Sequence, residues 1–318
     1  VTVAAPILID ADALAETLDP LWLVEQLRLG HIEGIGAVER LLLQEPASPN
    51  SLLTWVAWQP GLALGAKLAA VFPGNEAAGA GPNIRSVVVL FDGVDGRPEA
   101  VITGESFTRA KTAADSALAA SLLARRDLGT LAVLGAGAQA ETQIRYLLAV
   151  RPSIRRVAIW NRSADKARAL AESLSLPGIS IEAVADAEPA VRAADIVTCV
   201  TASHTPVLRG AWLKPGTHVD LVGSFTPDMR EANDDAMRRA RLFVDTRRFA
   251  VGTCGEFTQA IAAGIITPAD VVAELAELCA GAEGRRTAEE ITLFKNAGGG
   301  HLDLMAARAF VTHASGRG

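Results

Sequence analysis

The hydrophobic rhythm of the chain changes near residue 130. Beyond it, short apolar runs at 131–134, 157–160, 179–184, 196–200, 218–222 and 242–244 alternate with longer segments, most of them helix-like. Strand-length runs alternating with helix-length segments specify a parallel sheet covered by helices on both faces. Between 38 and 102 the texture differs. Runs at 51–58, 62–71, 84–90 and 100–102 are separated by Gly, Pro, Asn and Asp. Asp92-Gly93 and Asp95-Gly96 mark a tight connection between two strands, so this region reads as a mostly antiparallel sheet. Residues 10–36 read as helical, with Asp10 and Asp19-Pro20 as start signals and Leu21, Val24, Leu27 and Leu29 at rough helical spacing. Residues 105–124 form an alanine-rich helical stretch that reads as the hinge into a second domain. Segment 287–296 and the helix-like tail 301–312 break the alternating rhythm, and the tail is expected to return to the first domain. The pattern predicts an α/β fold: a Rossmann-type doubly wound parallel sheet over residues 115–300, and an α+β domain over residues 1–114 and 301–318.

Composition narrows the function classes. At 318 residues, half of them hydrophobic, the chain can bury two cores. No apolar stretch reaches the ~20 residues that span a bilayer, and the N-terminus shows no basic region followed by an apolar core, so neither a membrane nor a secretory role is expected. The formal charge of −6, with Lys and Arg in isolated pairs only, argues against nucleic acid as a partner. Cys199, Cys254 and Cys279 are scattered, without C-x-x-C spacing, which fits a reducing cytoplasm and no structural metal. His31, His204, His218, His301 and His313 show no metal spacing and no nucleophile–base arrangement, and read as structural or exposed.

The alternating region opens on Leu131-Ala132-Val133-Leu134-Gly135-Ala136-Gly137-Ala138-Gln139-Ala140, followed by an amphipathic run over 141–150. This is strand, Gly-x-Gly-x-x-Ala turn and helix, the context that a dinucleotide-binding turn requires. Gly135 permits the turn, Gly137 lets a pyrophosphate approach the backbone, and Ala140 lets the helix pack on the strand. Ala138 and Gln139 complete the turn. Thr201 and Gly223-Ser224 follow two of the later strands, at the C-terminal edge where the cofactor belongs. Asn161, Arg162 and Ser163 follow the second strand. Asn161 lies 24 positions past Gly137, near the ~20-residue offset where NAD-binding chains carry an acid. No acid is there. Donors and a cation suit a 2′-phosphate, so NADP(H) is favoured over NAD(H); the bland alternative is a solvated Arg162 beside an N-capping Ser163.

Four further residues are candidates for chemistry. Lys67 shares a strand face with Ala63, Gly65, Ala69 and Val71, and the other face is apolar too. It either lines a cavity, where a desolvated amine can exchange protons, or snorkels from an edge. Asp228 follows the strand at 218–222, near the expected nicotinamide; with Glu231 it also fits an N-terminal capping box. Arg40 can grip a substrate carboxylate or be a surface arginine. Lys111 has Asp115 four residues on, the spacing of an exposed helical ion pair.

These pieces together resemble the ornithine cyclodeaminase/mu-crystallin family over nearly the whole chain. The resemblance is carried by Gly65-Ala66-Lys67 with Phe72-Pro73-Gly74-Asn75, by Thr112-Ala113-Ala114-Asp115-Ser116-Ala117-Leu118-Ala119, and by the glycine turn. Gly223-Ser224-Phe225-Thr226-Pro227-Asp228-Met229-Arg230-Glu231 and Thr292-Leu293-Phe294-Lys295-Asn296 complete it. It implies a homodimer, an N-terminal substrate-binding and dimerisation domain, a Rossmann domain, a nicotinamide cofactor and a small amino or imino acid substrate. It implies catalytic roles for Lys67 and Asp228 and, by a looser alignment, substrate-carboxylate binding for Arg40. In the family's cyclodeaminases, hydride leaves Cα, the side-chain amine attacks the imine, ammonia leaves, and hydride returns to give proline. Other members reduce cyclic ketimines or dehydrogenate amino acids. The chain departs from the family at Lys111, where an arginine usually binds the substrate carboxylate. Arg109, about 200° away around the helix, is a poor substitute, and lysine lacks the planar two-bond grip.

The expectation is therefore an NAD(P)-dependent oxidoreductase acting at the Cα–N bond of a small amino or imino acid. Ornithine cyclodeaminase is the family's usual label. Ketimine reductase or amino-acid dehydrogenase fits Lys111 and the cofactor reading at least as well. From another class, a mu-crystallin-like NADP-bound binding protein without turnover is the rival, and the retained Lys67 and Asp228 speak against it.

Overall fold

The computed structural model describes residues 5–75 and 77–316; the chain ends to which the expected domain limits extend, 1–4 and 317–318, lie outside the described residues. Both N-terminal start signals begin a helix. Asp10 closes strand β1 (Ile7–Asp10), and its side chain accepts the N–H of Asp12 and Ala13, which starts α1 (Ala11–Ala15). Asp19 accepts the N–H of Leu21, and Pro20 occupies the first position of α2 (Pro20–Glu33). The helical stretch expected over 10–36 is thus a strand end and two helices, closed by Gly34 at φ +101°. Its buried stripe is Leu23, Val24, Leu27, Gly30 and His31, whereas Leu21 and Leu29 are exposed.

The chain divides into two compact units, residues 1–111 with 299–318, and residues 112–298. The first holds β2 (Ala37–Gln44), β3 (Ser51–Gln59), β4 (Ala63–Val71), β5 (Ile84–Asp92) and β6 (Pro98–Thr103). The sheet order is β1-β6-β5-β4-β3-β2, antiparallel except for β1 beside β6. β1 and β2 lack the alternation of a half-buried strand, so the pattern passes over them. The C-terminal helix Gly300–Ala314 belongs to this unit and packs on β2, β3, β4 and β5 and against α2. Helix α3 (Ser106–Leu123) gives residues 106–111 to the first unit and 112–123 to the second.

The second unit is a parallel sheet of β7 (Thr130–Leu134), β8 (Arg156–Trp160), β9 (Ser180–Ala183), β10 (Ile196–Cys199), β11 (His218–Leu221), β12 (Arg241–Val244), β13 (Val271–Glu274) and β14 (Thr292–Lys295). Its order is β13-β12-β14-β11-β10-β7-β8-β9. Helices α4 (Ala140–Val150), α5 (Ala164–Ser173), α6 (Ala187–Ala193) and α7 (Asp234–Arg239) run between strands. Along β7, Leu131 and Val133 join one buried cluster while Ala132 and Leu134 join another, which is the signature of a sheet covered on both faces. Burying each of Leu131, Val133 and Leu134 contributes about 1.5–3 kcal/mol. β14 corrects the reading of 287–296 as outside the rhythm: it lies between β11 and β12, parallel to both, with every residue buried. A short run that ends in a lysine conceals a central strand. Strand order reverses between β7 and its neighbours β8 and β10, which is where a doubly wound sheet opens its ligand crevice. Among the described residues no helix is long and apolar enough to cross a membrane.

Candidate active site

In the second unit the glycine turn follows β7 at that reversal point. Gly135 has φ +125°, and a Cβ there would lie 2.7 Å from the Val200 carbonyl oxygen; only glycine fits. Its N–H donates to Trp160 O at 2.8 Å, and the N–H of Ala136 donates to Asn161 Oδ1 at 3.2 Å. A Cβ on Gly137 would meet nothing within 4 Å, so the backbone is open to a ligand. The turn opens on a cleft of about 980 Å³ whose lining includes Ala136, Gly137, Asn161, Arg162, Ser163 and Thr201. Lys166, on the first turn of α5, lines it as well. An open glycine backbone at a helix N-terminus, with Arg162 and Lys166 on the side of the second strand, fits a dinucleotide pyrophosphate and ribose. Gly135, Ala138, Gln139, Gly223 and Ser224 frame the region without lining that cleft. Asn161 already spends its amide inside the protein, since Nδ2 donates to Ser163 O at 3.0 Å. Ser163 takes the N-cap position of α5 without a side-chain capping bond.

Behind the cleft, buried Glu231 ties two strand ends together. It accepts from the Thr201 N–H (2.6 Å), the Thr201 hydroxyl (2.9 Å) and the Gly223 N–H (2.7 Å). Its own N–H donates to Glu256 Oε1 at 2.7 Å, and Lys295 Nζ lies 3.8 Å from Glu256 Oε2, both fully buried. Burial pushes the Glu231 carboxyl up to about 8, against the pull of Lys295. A Cβ at Gly223 would lie 1.9 Å from Thr201 O, so this glycine serves the close approach of two loops. Ser224 is buried and its hydroxyl donates to Met229 O.

The capping-box reading of Asp228 and Glu231 is corrected. The next helix, α7, is capped by Asn233, whose side chain accepts the N–H of Ala236. Asp228 instead sits on an exposed loop, its side chain 71% accessible, accepting from the Thr226 hydroxyl at 2.6 Å and lying 3.1 Å from His204 Nδ1. The Thr226 bond, aided by His204, holds its carboxyl below the usual range.

The first unit gathers a second constellation. Lys67 is on β4 between β3 and β5, so it is not on an edge, and it is buried. Its Nζ lies 3.4 Å from Asp303 Oδ1 on the C-terminal helix. Lys111 Nζ lies 3.5 Å from the same oxygen and is also buried. The reading of Lys111 as an exposed helical ion pair with Asp115 is therefore corrected, because a tertiary carboxylate takes it into the interior. Arg109 points elsewhere, to Glu105 (2.9 Å) and Asp12 (3.6 Å). Desolvation lowers the Lys67 ammonium below the usual amine range; Asp303 raises it and Lys111 lowers it further. Arg40 is exposed on β2, its guanidinium 5.6 Å from the centre of the Trp55 ring. His31 and His301 are buried edge to face, centroids 5.9 Å apart.

Residues 57–317 match the Ornithine cyclodeaminase/mu-crystallin family. The chain belongs to that family. It is 45% identical over 285 residues to the Delta(1)-pyrroline-2-carboxylate reductase of Paracoccus denitrificans, covering 89% of each chain. The solved Delta(1)-pyrroline-2-carboxylate reductase of Thermococcus litoralis, in complex with NADH and L-proline, superposes with a TM-score of 0.90 at 28% identity over 98% of each chain. An archaeal alanine dehydrogenase dimer with bound NAD superposes with a TM-score of 0.89 at 25% identity, covering 98% of this chain and 97% of that one.

In this cyclodeaminase-family chain the pattern misses Asp303 and Lys166, and it gives Glu231 only a capping role. Asp303 alone left a signal: an acid within the apolar run from Leu302 to Ala307 of a helix buried along most of its length.

Proposed function

We propose that the chain is an NAD(P)-dependent reductase of small cyclic ketimine carboxylates, adding hydride to the Cα=N carbon and a proton to the nitrogen to give a cyclic amino acid. The observation that carries this is the Lys67–Asp303–Lys111 cluster. Two ammonium groups share one carboxylate, which leaves one buried positive charge for one substrate carboxylate. A ring imine brings that carboxylate and no second ammonium. Ornithine brings an extra cation, which two lysines repel. The relatives named for pyrroline-2-carboxylate reduction support the same choice.

A bound nicotinamide cofactor supplies the hydride. In this proposal the glycine turn, with Ala138 and Gln139 behind it and Thr201, Gly223 and Ser224 framing it, binds the cofactor in the second unit. Arg162 and Ser163, with Lys166, receive a 2′-phosphate, and the absence of a carboxylate at 161–163 supports NADP(H) over NAD(H). Lys67 carries the proton for the imine nitrogen, and Lys111 and Arg40 anchor the substrate carboxylate. Asp228, ionised and steadied by Thr226 and His204, balances the charge of a protonated imine. The first unit also serves dimerisation: β2 is an edge strand, with Leu41, Leu42 and Leu43 more than half exposed. Its neighbour in structure, the alanine dehydrogenase, is a dimer. The three cysteines, scattered without C-x-x-C spacing, fit the cytoplasmic setting that this reading includes.

The test mixes the protein with Δ1-pyrroline-2-carboxylate or Δ1-piperideine-2-carboxylate and NADPH or NADH, and separately with ornithine and NAD+. Consumption of reduced cofactor with proline or pipecolate as product is expected. Ammonia and proline from ornithine alone would replace this reading with cyclodeamination, and no turnover in any arm would favour a binding protein.

A further inference from the structure

Lys67, Lys111 and Asp303 come from three separate elements, and their charges do not balance. Asp303 Oδ1 serves both ammonium groups, while its Oδ2 is buried with no hydrogen-bond partner among the described residues. Buried carboxylate oxygens are rarely left so. The cross-strand neighbours of Lys67, Trp55 on β3 and Val88 on β5, carry no charge. The charged groups that bear on it are Asp303 from the C-terminal helix and Lys111 from α3; Arg40 of β2 shares its sheet face across Trp55, and His301 of the C-terminal helix and His31 of α2 face each other. His301, with both ring nitrogens unbonded, is kept neutral by burial, by His31 and by Lys111. Among the described residues, Asp303 is the carboxylate that bears on the charge of Lys67.

We infer that Asp303 is a positioning residue that divides one carboxylate between Lys67 and Lys111 and thereby sets how firmly Lys67 keeps its proton. The two lysines compete for it. Removing the carboxylate leaves Lys67 beside a like charge; removing Lys111 gives Lys67 the carboxylate alone. The two changes therefore act in opposite directions on the same proton, which a merely structural role for Asp303 would not produce. The inference rests on the reading of Lys67 as the proton-bearing group in imine reduction.

The experiment is the pH profile of kcat for reduction of Δ1-pyrroline-2-carboxylate by NADPH, in wild type, Asp303→Asn, Asp303→Glu and Lys111→Met. Asp303→Asn moves the alkaline limb to lower pH by a unit or more, and Asp303→Glu returns it toward wild type. Lys111→Met moves the limb to higher pH and raises KM for the imine. Limbs at the wild-type position in both Asp303→Asn and Lys111→Met, or displaced in the same direction, overturn the inference. Should Asp303→Asn fail to fold, Lys111→Met decides alone: an upward shift supports the inference and an unmoved limb overturns it. A wild-type protein without imine turnover shows no profile at all, which marks failure of the functional reading and takes this inference with it.

Discussion

The glycine turn of residues 135–140 and the Lys67–Asp303–Lys111 cluster, in the function proposed for them, meet their ligands in different ways. In the second unit the groups offered to a ligand are backbone N–H groups and glycines on one contiguous stretch. Buried acidic side chains stand behind them: Glu231 gives both oxygens to the N–H groups and hydroxyl of Thr201 and Gly223. In the first unit the groups on offer are side chains, brought together from a strand and two helices, with one charge left over. The difference teaches where each unit is vulnerable. A backbone site fails when its frame moves, whereas a side-chain site fails when one charge is removed.

The sharpest break in that comparison is Lys67→Met. It is expected to lower kcat by about 10³-fold, roughly 4 kcal/mol, while cofactor affinity measured by fluorescence titration stays unchanged. Asp228→Asn belongs to the same class, and turnover that survives it would reduce Asp228 to a loop residue. On the frame side, Glu231→Gln turns an amide donor toward the backbone donors of Thr201 or Gly223. A cost of about 3 kcal/mol in urea unfolding is expected, with weaker cofactor binding; wild-type stability would remove Glu231 from the frame.

A smaller effect tests burial within the same unit. His218 is fully buried, 2.9 Å from the Thr292 hydroxyl, and burial with Arg285 and Arg151 nearby lowers it to about 3. An unfolded histidine takes a proton below about pH 6.5, and the folded one stays neutral until about 3. Stability is therefore present above pH 6.5 and is lost as pH falls from there toward 3. Between pH 7 and pH 5 this one residue accounts for about 2 kcal/mol, so His218→Gln should flatten the fall in unfolding midpoint over that interval. The smallest effect is Arg162→Ala, expected to weaken NADPH about tenfold, roughly 1.4 kcal/mol, with NADH nearly unmoved. Equal losses for both cofactors would take Arg162 away from the 2′-phosphate.

What could be read from the sequence follows the same division. The strand–turn–helix at 131–150 is contiguous, so its residues announce it. The caps at Asp10 and Asp19 act within three residues of themselves, and both start helices where expected. Lys67 stands out because its strand has no polar stripe to join. β1 and β2 escape notice for want of alternation; the misread charged residues involve a local spacing overruled by a distant partner. Lys111 and Asp115 are spaced for a helical pair, yet Lys111 turns to Asp303. Asp228 and Glu231 are spaced for a cap, yet Glu231 binds Thr201, 30 positions back. The contact between Lys67 and Asp303 spans 236 positions, and no periodicity encodes it. Lys295 hides β14 because a lysine ends its apolar run, and only the fold supplies Glu256.

The proposed step is hydride transfer to the Cα=N carbon of a cyclic imine carboxylate. It is read most directly from the mass and deuterium position of the proline formed from Δ1-pyrroline-2-carboxylate and NADPH deuterated at both C4 positions. The account predicts one deuterium, at Cα, and no ammonia. Proline formed without deuterium, or no proline while ornithine and NAD+ release ammonia, would contradict it.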